Sequence, residues 1–341
     1  MDIAGQRMVN QRLWGTPWAG IVDVVRDLGA VQAQEFAYAK WSLAQRAGDP
    51  AESLVDRAFA EGAILRTHVL RPTWHFVVPQ DIRWMLALTG PRVQAVSAPY
   101  YRQHGLTDFD RPTALWVEAL KGGNHLDRKA MRAVLADAGI TVTNLQFGFL
   151  LLHAELEAVL CSGAPKGKQQ TYALLDERAP EARAMGRDDA IAELVRRYFS
   201  TRGPATLKDF AWWSGLTQAD GRRGLEALGM MPTVVNGRTY YGHAAQVAEK
   251  PPRVDLVQIY DEIGVAYTES RDVVQGDDTL LGRGPVYYHS ILLNGKLIGR
   301  WRRTVKAGSV SFETQFRRAL TKGETKALER ELERYRLFAT T

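Results

Sequence analysis

Apolar positions along the chain fall into runs of helical spacing, punctuated by glycine and proline, with short alternating stretches between them. Trp18, Ile21, Val22, Val25 and Leu28 recur at intervals of one, three and four, the signature of a helix with one buried face. Thr16-Pro17 supplies its start and Gly29 its stop. Leu54, Val55, Ala58 and Phe59 mark another helix, ended near Gly62. The segments 64–70 and 73–78 then read as two strands joined around Arg71-Pro72. Helices followed by a two-stranded ribbon are the order of a winged-helix module. The middle third repeats that order more loosely. Leu126-Asp127-Arg128-Lys129 opens a short helix, 149–160 is apolar and helical, and the basic loop 162–170 is a candidate wing.

The pattern is clearest over 188–242. Ile191, Leu194, Val195, Tyr198 and Phe199 form a helical stripe that Gly203-Pro204 breaks. Thr206-x-x-Asp209 and Thr217-x-x-Asp220 each read as an N-terminal cap, a threonine bonding back to the third residue of its helix. Asn236-Gly237 between two β-rich runs is a two-residue hairpin signal. Helix, short helix, turn, helix and hairpin make a helix-turn-helix with a wing. A second such hairpin turns at Asn294-Gly295 and runs on into Arg300-Trp301-Arg302-Arg303. Alternation puts Arg300 and Arg302 on one face and Trp301 and Arg303 on the other. Two readings fit this ribbon: a basic surface with its tip at Lys296, laid against phosphates or in a groove, and an exposed edge strand kept soluble by charge. The last helix, 322–338, mixes Glu with Lys and Arg at i, i+4 and reads as a solvated face.

Composition narrows the classes. The 341 residues are 45% hydrophobic and 24% charged, which excludes wholesale disorder. No run reaches the roughly 18–20 apolar residues of a membrane span, and the first residues carry no charged-then-apolar export signal. The single cysteine, Cys161, excludes an intramolecular disulfide framework and a Cys-rich zinc site, so a reducing cytosol is expected. The net charge of +6 is concentrated: residues 300–341 hold eleven basic and five acidic side chains. A basic strip near the C-terminus suits a polyanion. Nucleotide-binding glycine loops, metal-binding histidine motifs and the Gly-x-Ser-x-Gly nucleophile turn are all missing. Asp261-Glu262 and Asp277-Asp278 offer hard-cation ligands but read rather as solvated turns, and Cys161 as a small buried residue rather than a nucleophile. Neither metal nor organic cofactor is expected.

One short element stands apart. In Ala30-Val31-Gln32-Ala33-Gln34 the glutamines are two residues apart. In extended chain both side chains project to the same side, ~6–7 Å apart. Two amides so placed can hold one water or grip one polar atom of a ligand.

The run Leu28-Gly29-Ala30-Val31-Gln32-Ala33-Gln34, followed by Trp41-Ser42-Leu43-Ala44-Gln45-Arg46, resembles the opening of the AlkZ/YcaQ-like DNA glycosylases. Further matches follow in order. They are Arg66-Thr67 with Arg71-Pro72-Thr73-Trp74-His75-Phe76-Val77, then Gly203-Pro204-Ala205-Thr206 with Asp209-Phe210-Ala211-Trp212-Trp213-Ser214-Gly215-Leu216. Tyr260-Asp261-Glu262 and Asn294-Gly295-Lys296 with Gly299-Arg300-Trp301-Arg302-Arg303 complete the series.

The resemblance implies a mainly α fold with β-hairpins (α+β). Three tandem winged-helix modules, at 1–110, 111–186 and 187–250, would form a C-shaped channel for duplex DNA, with a C-terminal β-hairpin region and terminal helix at 251–341. It implies a cofactor-free, monofunctional N-glycosylase removing cationic N7- or N3-alkylpurines, with bulky adducts or interstrand crosslinks as further substrates of some members. Its catalytic pair falls on Gln32 and Gln34. Candidate DNA contacts are Arg66, His68, Arg71 and His75 around the first wing, Arg222 and Arg223 on the late helix-turn-helix, and Lys296, Arg300 and Arg302 on the ribbon. Nothing marks Lys40, near the pair, as a Schiff-base nucleophile. The expected protein is a cytoplasmic, nucleoid-associated monomer whose partner is duplex DNA with alkylated bases. The rival reading is a winged-helix DNA-binding protein or transcriptional regulator without chemistry.

Overall fold

The computed structural model describes residues 1–248, 252–276, 289–306 and 308–340. Asp277-Asp278 lies outside them. The chain divides into two compact units, one of residues 1–56, 192–213 and 217–341, the other of 57–191 and 214–216. Along the chain one order of elements recurs three times: helix, a strand or bridge of one or two residues, two helices, then a hairpin. In the first round these are Ile21–Leu28, Val31–Gln32, Phe36–Ala44, Glu52–Ala60 and the pair Leu65–His68 and Trp74–Val77. In the second they are Asp110–Leu120, Leu126–Asp127, Arg128–Asp137, Asn144–Leu156 and the pair Leu160–Ser162 and Thr171–Leu174. In the third they are Arg187–Arg202, a bridge from Ala205 to Tyr241, Leu207–Ser214, Gln218–Ala227 and the pair Thr233–Val235 and Arg238–Tyr240.

Local chemistry explains these boundaries. Thr217 accepts the Asp220 backbone N–H while Asp220 accepts that of Thr217, a reciprocal cap on Gln218–Ala227. Thr206 and Asp209 do the same for the preceding helix. Asn236 and Gly237 take positive φ of 50° and 74°, and Asn294 and Gly295 of 51° and 76°, the backbone that a two-residue hairpin needs. Helix Ile21–Leu28 starts at a Gly20 cap rather than at Thr16-Pro17, and Gly29 ends it at φ 79°.

The larger unit is built on a four-stranded antiparallel sheet, ordered Ser309–Phe316, Lys296–Lys306, His289–Leu293, Val254–Val257. The helix Lys322–Thr340 packs on it through Tyr335 and Phe338, whose rings meet Trp41 at 4.9 and 5.1 Å, while Trp301 meets Tyr335 at 5.0 Å. That helix buries Ala327, Leu328, Glu331, Tyr335 and Phe338, so it is an amphipathic core helix and not only a solvated face. The basic ribbon differs from expectation in two ways. Lys296–Lys306 is an inner strand, paired on both sides, and not an edge. Its Asn294-Gly295 turn is packed down. Asn294 exchanges hydrogen bonds with Arg253, and a side chain at Gly295 would meet Met8 at 3.3 Å. Gly295 is thus buried at this turn while Lys296 beside it stays exposed, and the other end of the ribbon is exposed around Lys306 and Ser309.

In the smaller unit the helix Pro79–Gln103 runs 25 residues with Pro91 and Pro99 inside it. It packs against Asn144–Leu156 so closely that a side chain at Gly90 would come within 3.0 Å of the Leu156 carbonyl. The apolar helix read over 149–160 instead starts from a Thr143 capping box and stops at Leu156. Ala158 turns the chain at φ 57°, and Leu160 opens a buried strand. The loop 163–170 links that strand to its partner Thr171–Leu174, as a wing would.

Candidate active site

The candidate pair sits where the chain leaves helix Ile21–Leu28. Three backbone groups at alternate positions of this extended run are gripped by one buried ion pair. Arg202 donates from NH1 to the Leu28 carbonyl at 2.8 Å and from NH2 to the Ala30 carbonyl at 2.9 Å. Its Nε and NH2 hold Glu262 Oε2 at 2.9 and 2.7 Å. Glu262 Oε1 in turn accepts the Gln32 backbone N–H at 2.9 Å, and Trp213 Nε1 donates to Oε2 at 2.8 Å. Both ion-pair side chains are fully buried, and Arg202 also stacks over Trp213 at 4.2 Å. Gln258 adds a long 3.4 Å bond to the Gln32 carbonyl. The backbone of Gln32 is thus fixed, and charge is balanced without using either glutamine side chain. Gln32 is buried and Gln34 exposed, so the pair runs from floor to surface.

Beside this run, Tyr38 lies one turn beyond Gln34, and its ring sits 3.7 Å from that of His289. His289 Nδ1 accepts the Ile259 N–H at 3.1 Å. Burial, with Arg303 nearby, pushes the imidazole down to about 3, so it is neutral at working pH with its proton on Nε2. Arg303 lies over Tyr38 and Tyr335 at 4.8 and 5.2 Å. Lys40 is bracketed by Glu52 at 2.6 Å and Asp56 at 2.8 Å, which makes it an ion-pair partner. Sequence reasoning missed Arg202, Glu262, Trp213 and His289. Glu262 stood in a quoted motif, but its partner at Gln32 is 230 residues away.

The candidate DNA contacts separate by burial. Arg222 and Arg223 are exposed on Gln218–Ala227. Arg222 lines a groove of about 570 Å³ with Lys208 and Arg238, between helix and hairpin. Lys296 and Arg302 are exposed, although Arg302 already pairs with Glu313 at 2.5 Å. Arg300 is half-buried on Ser290 Oγ at 3.1 Å. In the other unit Arg71 is half-buried. Arg66 stacks over Trp74 at 4.4 Å, and burial lowers it to about 10. His68 Nδ1 lies 2.5 Å from the buried carboxylate of Glu155. His75 is wholly buried, with Nδ1 on the Thr73 carbonyl at 2.9 Å, a placement for packing and not for touching a surface ligand. Cys161 is buried and its thiol pushed up to about 12, which rules it out as a nucleophile. Among the described residues no group of acidic, histidine or cysteine side chains is arranged to hold a metal, and no helix is long and apolar enough to cross a membrane.

Fold and site together define a mixed helix-and-strand protein with exposed arginines on the helix Gln218–Ala227 and a buried ion pair that holds the backbone at Gln32. The family model of the AlkZ-like DNA glycosylases matches residues 25–338. The chain belongs to that family. It is similar to the interstrand DNA cross-link repair glycosylase of Streptomyces sahachiroi, at 25% identity over 218 residues, or 62% of this chain. That match spans 59% of the relative's own length. The solved structure of Streptomyces sahachiroi DNA glycosylase AlkZ shares the fold, with a TM-score of 0.77 at 20% identity, covering 99% of this chain and 95% of that one.

Proposed function

We propose that the chain is a monofunctional DNA N-glycosylase that hydrolyses the N-glycosidic bond of cationic N7- and N3-alkylpurines in duplex DNA. The observation that carries this reading is the clamp. A buried Arg202–Glu262 pair fixes the backbone leading to Gln32 and Gln34, and preorganised polar groups of this kind are what a site stabilising developing charge requires. An N7-alkylguanine already carries positive charge and leaves without protonation. The demand falls on the deoxyribose, which gains oxocarbenium character. The amide oxygens of the two glutamines, carried on this held backbone, orient a water for attack and face that charge. Ordinary glycosidases need two carboxylates because their leaving group must be protonated. Here the buried carboxylate bonded to the Gln32 backbone, Glu262, is already engaged by Arg202, Trp213 and the Gln32 amide.

The thrice-repeated element order supports three winged-helix modules, and the exposed Arg222 and Arg223 support phosphate contacts from the third. Because the Streptomyces relative is an interstrand cross-link repair glycosylase, interstrand crosslinks are a further substrate class to test. The protein acts as a monomer in the cytoplasm, on the nucleoid. The test is base release by the purified protein from duplexes holding one 7-methylguanine or one uracil. The methylated base is expected to be released and uracil left in place. Efficient uracil release contradicts a mechanism without a general acid. DNA binding with no release from any alkylated duplex returns the chain to the regulator reading.

A further inference from the structure

We propose that the larger unit carries a second anion site, for phosphate-bearing ligands, at the far end of helix Phe36–Ala44 from Gln34. Nine helical residues span ~13 Å, so this site is separate from the glutamine pair and does not rest on the glycosylase reading. It is a cavity of about 460 Å³ whose wall includes Arg12, Arg253, Arg330 and Arg334, with Asp49 and Glu331 as its carboxylates.

Those charges do not cancel. Arg334 takes both carboxylates to itself: Nε and NH2 fork onto Asp49 at 2.6 Å each, and NH1 reaches Glu331 at 3.1 Å. Arg253 is pinned by Asp255 at 3.3 Å and the Leu13 carbonyl at 2.6 Å. Arg12 and Arg330 have no carboxylate partner among the described residues. The position of Arg12 is itself informative. It holds φ at 56° just past helix Ile3–Asn10, a conformation that glycine adopts most readily. Arg12 stands exposed on the cavity's rim. Burial pushes Glu331 up to about 7, which removes part of the remaining negative charge near neutrality. Guanidinium groups bind phosphoryl oxygens through paired N–H donors. A wall of them has no affinity for an apolar ligand. A small oligophosphate and the backbone of a nucleic acid offer the same phosphoryl chemistry.

The full chain is tested as wild type, as Arg12→Ala/Arg330→Ala and as Arg330→Ala alone, by calorimetric titration with inorganic pyrophosphate and by binding of undamaged duplex across a salt series. Wild type is expected to bind one pyrophosphate per chain, or to bind duplex with a slope that includes this pocket. The double variant is expected to lose at least tenfold in pyrophosphate affinity and the single variant at least threefold. Arg330 is exposed on a helix, where alanine supports folding, so the single variant answers any loss of fold in the double. A salt slope lowered by about two in the double variant assigns the ligand to the DNA backbone. An unchanged slope with lost pyrophosphate binding assigns it to a small phosphoanion. Pyrophosphate affinity and salt slope both unchanged in the variants overturn the site.

Discussion

Gln32 owes its position to two residues that no local pattern connects to it. Arg202 and Glu262 read the backbone at 28, 30 and 32, and each is fully buried. Removing one partner of such a pair strands the other charge, at about 3–5 kcal/mol. Glu262→Gln is therefore expected to lower stability to urea by that amount and to slow base release. Glu262→Gln with Arg202→Met is expected to cost less than the sum of the single changes, and strict additivity would show that the pair does not act as a unit. His289 supplies a pH signature. The unfolded chain takes up its proton near pH 6.5, whereas the folded chain resists until about 3. Its contribution is thus complete above pH 6.5 and is lost as pH falls toward 3, by at most on the order of 5 kcal/mol. Glu331, raised to about 7, has the opposite sign, losing its contribution as pH rises from about 4.5 to 7. Comparison of wild type with His289→Gln isolates the histidine. A stability difference that does not change between pH 4 and 7 would contradict its neutral, buried state. At this scale the glutamines were legible because their spacing is local. Arg202, Glu262 and His289 were not, because tertiary folding alone brings them to residues 28–38.

Elements were legible where a side chain bonds to nearby backbone. Both Thr-x-x-Asp caps and both Asn-Gly turns lie where their chemistry requires. The failures have physical causes. No element was read after residue 78 in the first third, yet helix Pro79–Gln103 runs there through Pro91 and Pro99, packed on Asn144–Leu156. The ribbon strand read as a free edge because Ser309–Phe316, too polar to signal a strand, covers its other side. The helix Gln218–Ala227 provides the test at this scale. Arg222→Ala with Arg223→Ala is expected to lower the slope of log affinity against log salt by up to about two on undamaged duplex, with the melting temperature unchanged because both residues are exposed. An unchanged slope would place this helix outside the DNA interface.

For the whole molecule, composition and the motif order reached further than periodicity did. A basic segment at 300–341, one buried cysteine and the ordered series of motifs from Leu28 to Arg303 agree with a family match over residues 25–338. The division into two units, with 192–213 and 217–341 joining the first 56 residues, was invisible because it depends on contacts between the ends of the chain. Arg46 of the first helices, for example, is buried against Asp261 at 2.7 Å. The central claim concerns chemistry, and single-turnover release of 7-methylguanine by wild type, Gln32→Ala, Gln34→Ala and the double variant tests it most directly. Each single change is expected to slow release by roughly ten- to a thousandfold, the range for losing one preorganised polar group. Duplex affinity and melting temperature are expected to hold. The double variant is expected to lose less than the product of the two, as the proposed sharing of one water by both amides requires. A stable double variant that releases the base at the wild-type rate would contradict the account.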